Sequence, residues 1–495
     1  MTLTIDQMAA FCKRKGFAYP SSEIYGGLRG FFDYGPLGVE LRNNIKREWW
    51  KFFIQQRDDI VGIDGSLVSN AAIWKASGHV DNFEDILIQD TKTGERFRAD
   101  HFIEDQLQIS GDGLTVEQIE SLIQEHKLKS PKGNELSKPI RFNLMFQTYV
   151  GPAISEETKT YLRPETAQII FAQFKNIVET NRLKLPFGIA QIGKSFRNEI
   201  SPRNFLFRLR ELEQAEVEFF IHPDEFEQCP YISTMAQESV SLYTKTHQAD
   251  ETDAANTTIQ EALAQKQITN QWHAYFIALC QKWLLTMGID KENIRFRQHL
   301  DTERSHYSTD CWDLEYKYPF GFKELWGIAD RGTYDLDAHT KQSGKSHAIF
   351  DEKTQKKIIP KVMEPSLGID RVFLTILFDA YTFDKTRENV VLKLHPRLAP
   401  VFVAVMPLVK KDGLSELAKD ISTTLKKEFM TYYDESGSIG RRYARQDEQG
   451  TPFCVAIDYD TKKDNCVTVR DRDSTKQERI AIDKLAPYLR EKYYA

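Results

Sequence analysis

The sequence predicts an α+β protein in two parts, an antiparallel sheet flanked by helices followed by a smaller α/β unit. Three observations carry that expectation. From Ile192 to Phe220, two segments of alternating apolar residues flank a loop crowded with arginines, the pattern of two antiparallel strands joined by a charged tip. Leu37, Leu41, Ile45 and Trp49 recur every four residues and continue into Phe52 and Phe53, so residues 37 to 55 read as an amphipathic helix. After LHPRLAP, Leu394 to Pro400, where two prolines interrupt the periodicity, strand-like and helix-like segments alternate to the end of the sequence.

The elements follow in order. The predicted helix is preceded by GGLRGFFDYGPLG, a turn-rich stretch whose glycines permit tight backbone conformations. Residues from roughly 80 to 158 form a polar section containing TKTGERFRAD and SPKGNELSKP, and a less patterned, partly helical section runs from about 222 to 300; both are expected to be insertions in the larger part. Because side chains alternate along a strand, Arg197 and Glu199 should share one face, and Glu216 and Glu218 one face of the returning strand. One surface then carries guanidinium groups beside carboxylates, and such a tip can grip a polyphosphate. Beyond the proline break, VFVAVM reads as a strand, Leu414, Leu417, Ile421, Leu425 and Phe429 mark a helix, and FCVAID and NCVTVR read as further strands, an α/β unit of about a hundred residues. The boundary is placed between residues 396 and 397.

Composition excludes several classes. The chain has 495 residues, 41% hydrophobic and 28% charged, with a formal net charge of −6. That length suffices for two or more cores, and the balance is that of an ordinary soluble globular protein. No apolar run approaches the ~18 residues that a membrane span needs. Lys13, Arg14 and Lys15 are not followed by an apolar stretch, so no secretory signal is expected. Six scattered cysteines without a CxxC pair suit a reducing, cytoplasmic setting and suggest no zinc ribbon. The net charge argues against broad polyanion binding, while local basic patches remain able to hold a nucleic acid. GKS at 344 to 346 lacks the upstream glycine of a phosphate-binding loop, and DYDTKKDN at 458 to 465 lacks the central glycine of a calcium loop.

Five strings narrow the reading: LRPETAQ (162 to 168), FRNEISPRNF (196 to 205), ELEQAEVE (211 to 218), EPSLGIDR (364 to 371) and VTVRDRDSTKQER (467 to 479). The second and third resemble motif 2 of the class II aminoacyl-tRNA synthetases and the fourth resembles their motif 3, a strand that turns into a helix bearing an arginine. Together the five resemble glycyl-tRNA synthetase of the homodimeric type over nearly the whole chain. The resemblance implies a class II catalytic domain over residues 1–396, with the helix at 37 to 55 in the dimer-forming motif 1, and an anticodon-binding domain over 397–495. It implies ATP-dependent attachment of glycine to tRNA(Gly) through a glycyl-adenylate, with Mg²⁺ as cofactor, a homodimer as the assembly and no membrane association. The proline usual in motif 1 is absent.

By the same resemblance Arg197 contacts the α-phosphate and the glycine carboxylate, and Glu199 accepts a hydrogen bond from the adenine amino group. Arg208 and Arg371 hold the outer phosphates, so Arg197 and Arg371 are the catalytic pair, and Glu324 in FGFKELWGIADRG holds magnesium. One carboxylate plus phosphate oxygens is an ordinary magnesium site. Asn198, Phe207, Leu325, Gly368, Ile369 and Asp370 complete the ATP site. Leu212 stands where the family has a phenylalanine against adenine, which replaces stacking by aliphatic contact. Glycine offers no side chain to grip, so selectivity must come from its ammonium and from filled space. Glu165, Glu216 and Glu364 match the ammonium-facing residues and Ser366 the one near the α-carbon. Arg98 and Arg331 match positions near the substrate carboxylate and pocket wall, and Leu212, Glu213, Gln214 and Gly368 complete that pocket. Three carboxylates converging on one point are costly without a cation.

In the C-terminal part, Arg441, Arg442 and Arg445 surround Tyr443, with Phe453 nearby, a mixture that suits the splayed bases of a single-stranded loop. Two other readings are a noncatalytic RNA-binding or polymerase-accessory relative of the fold and an adenylating enzyme with another acceptor. Retention of Arg197, Glu199, Arg208, Glu364 and Arg371 argues against the first. The full-length C-terminal part argues against the second.

Overall fold

The structure is a computed structural model that describes residues 3–109, 111, 113–303 and 308–494. Its centre is a nine-stranded sheet. In chain order the strands are β1 (Ile60–Gly62), β2 (Phe187–Phe196), β3 (Glu211–Ile221), β4 (Ser239–Tyr243), β5 (Ala255–Thr258), β6 (Ile294–Gln298), β7 (Asp310–Tyr318), β8 (Gly321–Gly332) and β9 (Lys361–Gly368). In space they run β5-β4-β6-β7-β8-β9-β3-β2-β1. The pairs β1–β2 and β4–β6 are parallel and the others antiparallel, which gives the predicted α+β class. The predicted hairpin pairs in unbroken register from Phe187↔Phe220 to Phe196↔Glu211.

Helix α1 (Pro36–Trp50) realises most of the expected span, and Lys51–Gln55 continues it as a π-helical turn. Its Leu41, Ile45 and Trp49 enter the core that covers one face of the sheet. The section 222–300 joins the central sheet. It supplies β4, β5 and β6 and a helix, α4, of the chain-ordered set α1, α2 (Ala99–Leu107), α3 (Ala167–Asn181), α4 (Gln271–Thr286), α5 (Tyr334–Ser343) and α6 (Ile369–Ala380). Helix α4 is buried around most of its circumference, with Trp272, Phe276, Ile277, Cys280, Trp283 and Leu284 all inside. A helix apolar all round carries no amphipathic signature, which is why the sequence pattern failed to place it. The polar section from 80 to 158 folds around a small core of its own, formed by Ile88, Ala99, Phe102, Ile103 and Ile119.

A second core begins at Phe402 and includes Val403, Val405, Leu414, Ala418, Val455, Val467 and Leu489. It lies on a five-stranded sheet in which Val403–Pro407 pairs in parallel with Thr431–Tyr433 and Phe453–Ile457, followed by Cys466–Asp471 and Gln477–Ala481 in antiparallel order. The two parts are tied by ion pairs, Arg397 Nη1–Glu48 Oε2 at 3.0 Å and Arg387 Nη1–Asp447 Oδ2 at 3.1 Å, and by Lys15–Glu448.

Candidate active site

One face of the central sheet is the floor of a cavity of about 250 Å³. Alternation along each strand decides which side chains reach it. Across four neighbouring strands the register places Glu216, Ser366, Gly327 and Asp313 in one row, because Glu216 pairs with Ser366, Ser366 with Gly327 and Gly327 with Asp313. The next row contains Glu364, Ala329 and Cys311. Small residues in the middle of both rows keep the floor open. A Cβ on Gly327 would stand in that space, 3.8 Å from Asp313 Oδ1 and 3.8 Å from Glu324 Oε1.

The hairpin tip supplies one wall. Arg197 and Glu199 lie just beyond the end of β2, not within it. Arg197 N donates to Arg210 O at 2.9 Å, and the chain then bends sharply, with Glu199 N donating to Arg197 O at 2.7 Å. Both side chains nevertheless line the cavity. Arg197 is aimed by its Nε, which donates to the Pro164 carbonyl at 3.1 Å, and its guanidinium lies 5.6 Å from the centroid of the Phe83 ring. Among the described residues it has no ion-pair partner, whereas the other two arginines of the wall are paired. Arg208 Nε lies 2.8 Å from Glu199 Oε2, and Arg371 Nη1 lies 2.8 Å from Glu324 Oε2 while its guanidinium covers Phe207 at 4.5 Å. Arg371 sits in the first turn of α6, where its charge opposes the helix dipole, and Glu324 compensates it.

The far end of the cavity is acidic. Glu216 Oε1 accepts from Ser366 Oγ at 2.6 Å and from Gln214 Nε2 at 2.7 Å, and its Oε2 accepts from Thr166 N at 3.1 Å. Glu165 reaches the same place from the loop before α3. That loop is locked by Arg163, whose Nε donates to Lys194 O at 2.6 Å, and Gly193 is required beneath it, since a Cβ there would lie 2.1 Å from Arg163 Nη2. Burial opposes ionisation of Glu165, but His79 at 3.4 Å and Arg331 more than offset it and hold it well below the usual carboxylate range. Burial and the charge of Glu165 push Glu216 up instead. Behind them Arg331, 1% exposed, is gripped by Asp335 at 2.7 and 2.9 Å and by Glu364 at 2.9 Å.

The structure thus brings Glu165, Arg197, Glu199, Phe207, Arg208, Leu212, Gln214, Glu216, Glu324, Glu364, Ser366, Gly368, Asp370 and Arg371 to one cavity. Others stand elsewhere. Glu213 points to the opposite face of β3, against Arg42 at 3.1 Å and Lys46 at 3.4 Å, because it alternates with Leu212 and Gln214. Leu325 and Ile369 are buried in the core, so only their main chain can meet a ligand. Asn198 is not part of the lining. Arg98 is not part of the lining and pairs with Asp100, Nη2 at 2.6 Å, and with Asp85 at 3.4 Å. Arg331 acts from behind Glu364. Asp370 also accepts from Glu213 N at 2.7 Å and from Tyr34, which anchors α6 to β3.

Sequence patterns missed His299, Cys311, Asp313, Gly327 and Ala329 on the floor. Alternation along DCWDLEY carried the signal for Cys311 and Asp313. His299 Nε2 lies 2.8 Å from Asp313 Oδ2, and burial together with the charge of Glu324 pushes Asp313 up to about 6. His101 on α2 was missed as well. Its ring nitrogens lie 2.9 Å from Arg203 Nη2 and 3.1 Å from Arg208 Nη1, and burial pushes the imidazole down to about 4, so it is neutral at pH 7. In the C-terminal part Arg442 is buried, donating to Pro407 O at 2.7 Å, and Phe453 is in the core, so neither is available to a base; Arg441 is exposed.

Known proteins resemble this chain in both of its parts. Residues 149–379 match the tRNA synthetase class II core domain (G, H, P, S and T) and residues 402–492 match an anticodon binding domain. Over 499 residues the chain is 48% identical to the glycine–tRNA ligase of Caldanaerobacter subterraneus subsp. tengcongensis, which covers 99% of this chain and 98% of that protein. It is 44% identical to the glycine–tRNA ligase of Alkaliphilus oremlandii over the same shares, and 45% identical to that of Thermobifida fusca over 512 residues.

Proposed function

We infer, for a chain that belongs to the glycine–tRNA ligases of the class II aminoacyl-tRNA synthetases, that the cavity on the central sheet is where glycine and ATP react. The protein joins glycine to tRNA. The observation that carries the assignment of the site is the position of Arg197, a guanidinium without an ion-pair partner among the described residues, between the acidic end of the cavity and the wall bearing Arg208 and Arg371.

Two anions must meet for the first step. A glycine carboxylate oxygen attacks the α-phosphorus of ATP, the P–O bond to the β-phosphate breaks, and pyrophosphate leaves. Arg197 neutralises both partners as they approach, and its fixed Nε contact aims the charge where it increases in the transition state. Arg371 and Arg208 take the outer phosphates in exchange for Glu324 and Glu199. The glycine ammonium lies against Glu165 and Glu216. In the second step a terminal hydroxyl of tRNA attacks the glycyl carbonyl and AMP leaves. Residues 1–396 are assigned to this chemistry and 397–495 to the anticodon.

Glu324 and Asp313, oxygen donors that flank the bare backbone of Gly327, fit a hard divalent cation, and Mg²⁺ is the cofactor assigned there. When bound it neutralises phosphate charge. The assembly we assign is a homodimer, supported by an apolar tip ahead of α1 on which Ile24 is 88% and Tyr25 86% exposed. Among the described residues no helix is long and apolar enough to cross a membrane.

ATP–pyrophosphate exchange with each amino acid, without tRNA, tests the reading. Exchange with glycine and none with alanine or serine is expected. No exchange from a folded protein overturns it. A narrower test addresses Ser366, whose Oγ is pinned to Glu216 and stands on the floor next to Gly327. Ser366→Gly should raise kcat/KM for alanine relative to glycine by about tenfold, the scale of one methylene in a pocket, and lower glycine turnover by less. Unchanged alanine activation refutes that role.

A further inference from the structure

Beneath the acidic end of the cavity lies a carboxyl group that the reaction above does not use. Glu218 follows Glu216 by two residues on β3 and therefore shares its face, and the register sets it opposite Glu364 on β9. One oxygen each from Glu216, Glu218 and Glu364 lie within 4.8 Å of one another. Glu218 is 0% exposed, and among the described residues neither of its oxygens has a hydrogen-bond partner. Its two neighbours differ in this respect: Glu216 accepts from Ser366, Gln214 and Thr166, and Glu364 from Arg331.

The charges that face Glu218 do not balance it. On β3 there is Glu216, on β9 Glu364 and on α5 Asp335, while Glu165, from the loop before α3, acts on Glu364. Beyond Glu364, in the same row, Cys311 of β7 adds an uncharged thiol. Against these stand Arg331 of β8, which Asp335 already spans with both oxygens, and His79, between α1 and α2, which is turned to Glu165. An ionised Glu218 would be a buried anion with no donor beside a second anion, and such a group takes up a proton instead. A protonated carboxyl turns the contact between two acceptors into a hydrogen bond.

We propose that Glu218 and Glu364 share a proton in the empty cavity and that the ammonium group of glycine displaces it to solvent, so that Glu218 couples glycine binding to proton release. The proposal rests on the reading of this cavity as the glycine site. The ammonium keeps its own protons, and the positive charge it brings restores the ionised carboxylate pair as the favoured state. Burial, followed by the charge of Glu364, pushes Glu218 well above the ordinary carboxylate value, and burial pushes Glu364 up to about 8. The sign follows: the empty cavity holds the proton and the filled one does not, so glycine affinity rises with pH, by up to about tenfold per unit for a single proton, and levels off once the empty cavity has lost that proton.

Calorimetry of glycine binding to the full chain near neutral pH, in phosphate and in Tris, whose protonation enthalpies differ, reads the release directly. The expected result is a heat that differs between the buffers by close to one proton's worth, and loss of that difference in Glu218→Gln, which keeps the shape and removes the titrating group. Absence of glycine binding in both buffers overturns the glycine reading itself. Binding with the same heat in both buffers leaves that reading standing and overturns the coupling. So does full release, or no binding, in a folded Glu218→Gln. If that variant does not fold, infrared difference spectra of the wild type with labelled glutamate decide: the C=O stretch of a protonated carboxyl disappears on adding glycine, and its persistence overturns the proposal.

Discussion

Replacing Arg197 by alanine lowers the rate of glycyl-adenylate formation about a thousandfold, while the KM for ATP changes far less. The size follows from what is removed. A preorganised donor aimed at developing charge in a site shielded from water is worth about 10²–10³ in rate, and Arg197 faces two anions at once. A loss of that size is about 4 kcal/mol of transition-state stabilisation. The effect falls on turnover because Arg208 and Arg371 still hold the outer phosphates. Arg197→Lys recovers little, since an ammonium is a point charge and cannot span two oxygens in a plane as a guanidinium does. The fold is unaffected, because the side chain is only half-buried and, among the described residues, makes one hydrogen bond, to Pro164 O. Single-turnover adenylate formation at saturating ATP measures the change. A loss smaller than tenfold, from a protein with unaltered melting, removes Arg197 from the reaction.

The parts of the site that were legible in the sequence are those written along one strand or one turn. Alternation in Ile192 to Phe220 was enough for the hairpin, because β2 and β3 pair without a bulge over their full length. Local patterns fail where the outcome depends on strands distant in sequence. The row from Glu216 through Ser366 and Gly327 to Asp313 joins four strands, and only the pairing register shows that a glycine and a serine leave the floor open between two carboxylates. Motif matching also ignores faces. It put Glu213 into the glycine pocket with Leu212, Gln214 and Glu216, whereas alternation sends it to Arg42 and Lys46. Arg98 is a different case: Asp85 and Asp100 take its guanidinium, and it is not part of the cavity's lining. In Arg442 the partners are main-chain carbonyls. An arginine has five donors, and when burial supplies acceptors for them the side chain becomes part of the framework. Strands β4 and β5 escaped notice because they are short and read SVSLY and ANTT, with too few apolar positions to show a period.

Arg331 is where stability and selectivity meet, and Arg331→Met should destabilise the protein by about 3–5 kcal/mol, the cost of leaving buried charge without its partner. The guanidinium is the cation shared by Asp335 and Glu364, with Glu165 at 3.7 Å, and Glu216 and Glu218 lie next to them. Methionine fills much of the volume, so the loss is electrostatic. The pH dependence gives the test that a packing defect would not pass. Glu216, Glu218 and Glu364 have folded-state pKa values raised above their unfolded ones, so the folded protein binds more protons than the unfolded chain, and stability falls as pH rises from the ordinary glutamate range towards about 8. Arg331 lowers all three, and its removal raises them further and steepens that fall. Glu165 has the opposite sign: its carboxylate is held down in part by Arg331 and contributes stability above its unfolded pKa, a contribution that shrinks when the arginine goes. The first change widens the difference between wild type and variant as pH rises from about 5 to about 8, while the loss at Glu165 is constant above its unfolded pKa and adds the same amount across that window. Urea denaturation at several pH values across that window measures the difference. A gap that stays constant would mean that Arg331 serves as packing volume and that its charge is balanced by other means. Arg331→Lys should restore less than half of the loss, because an ammonium reaches Asp335 or Glu364 but cannot span both in the plane that the guanidinium occupies.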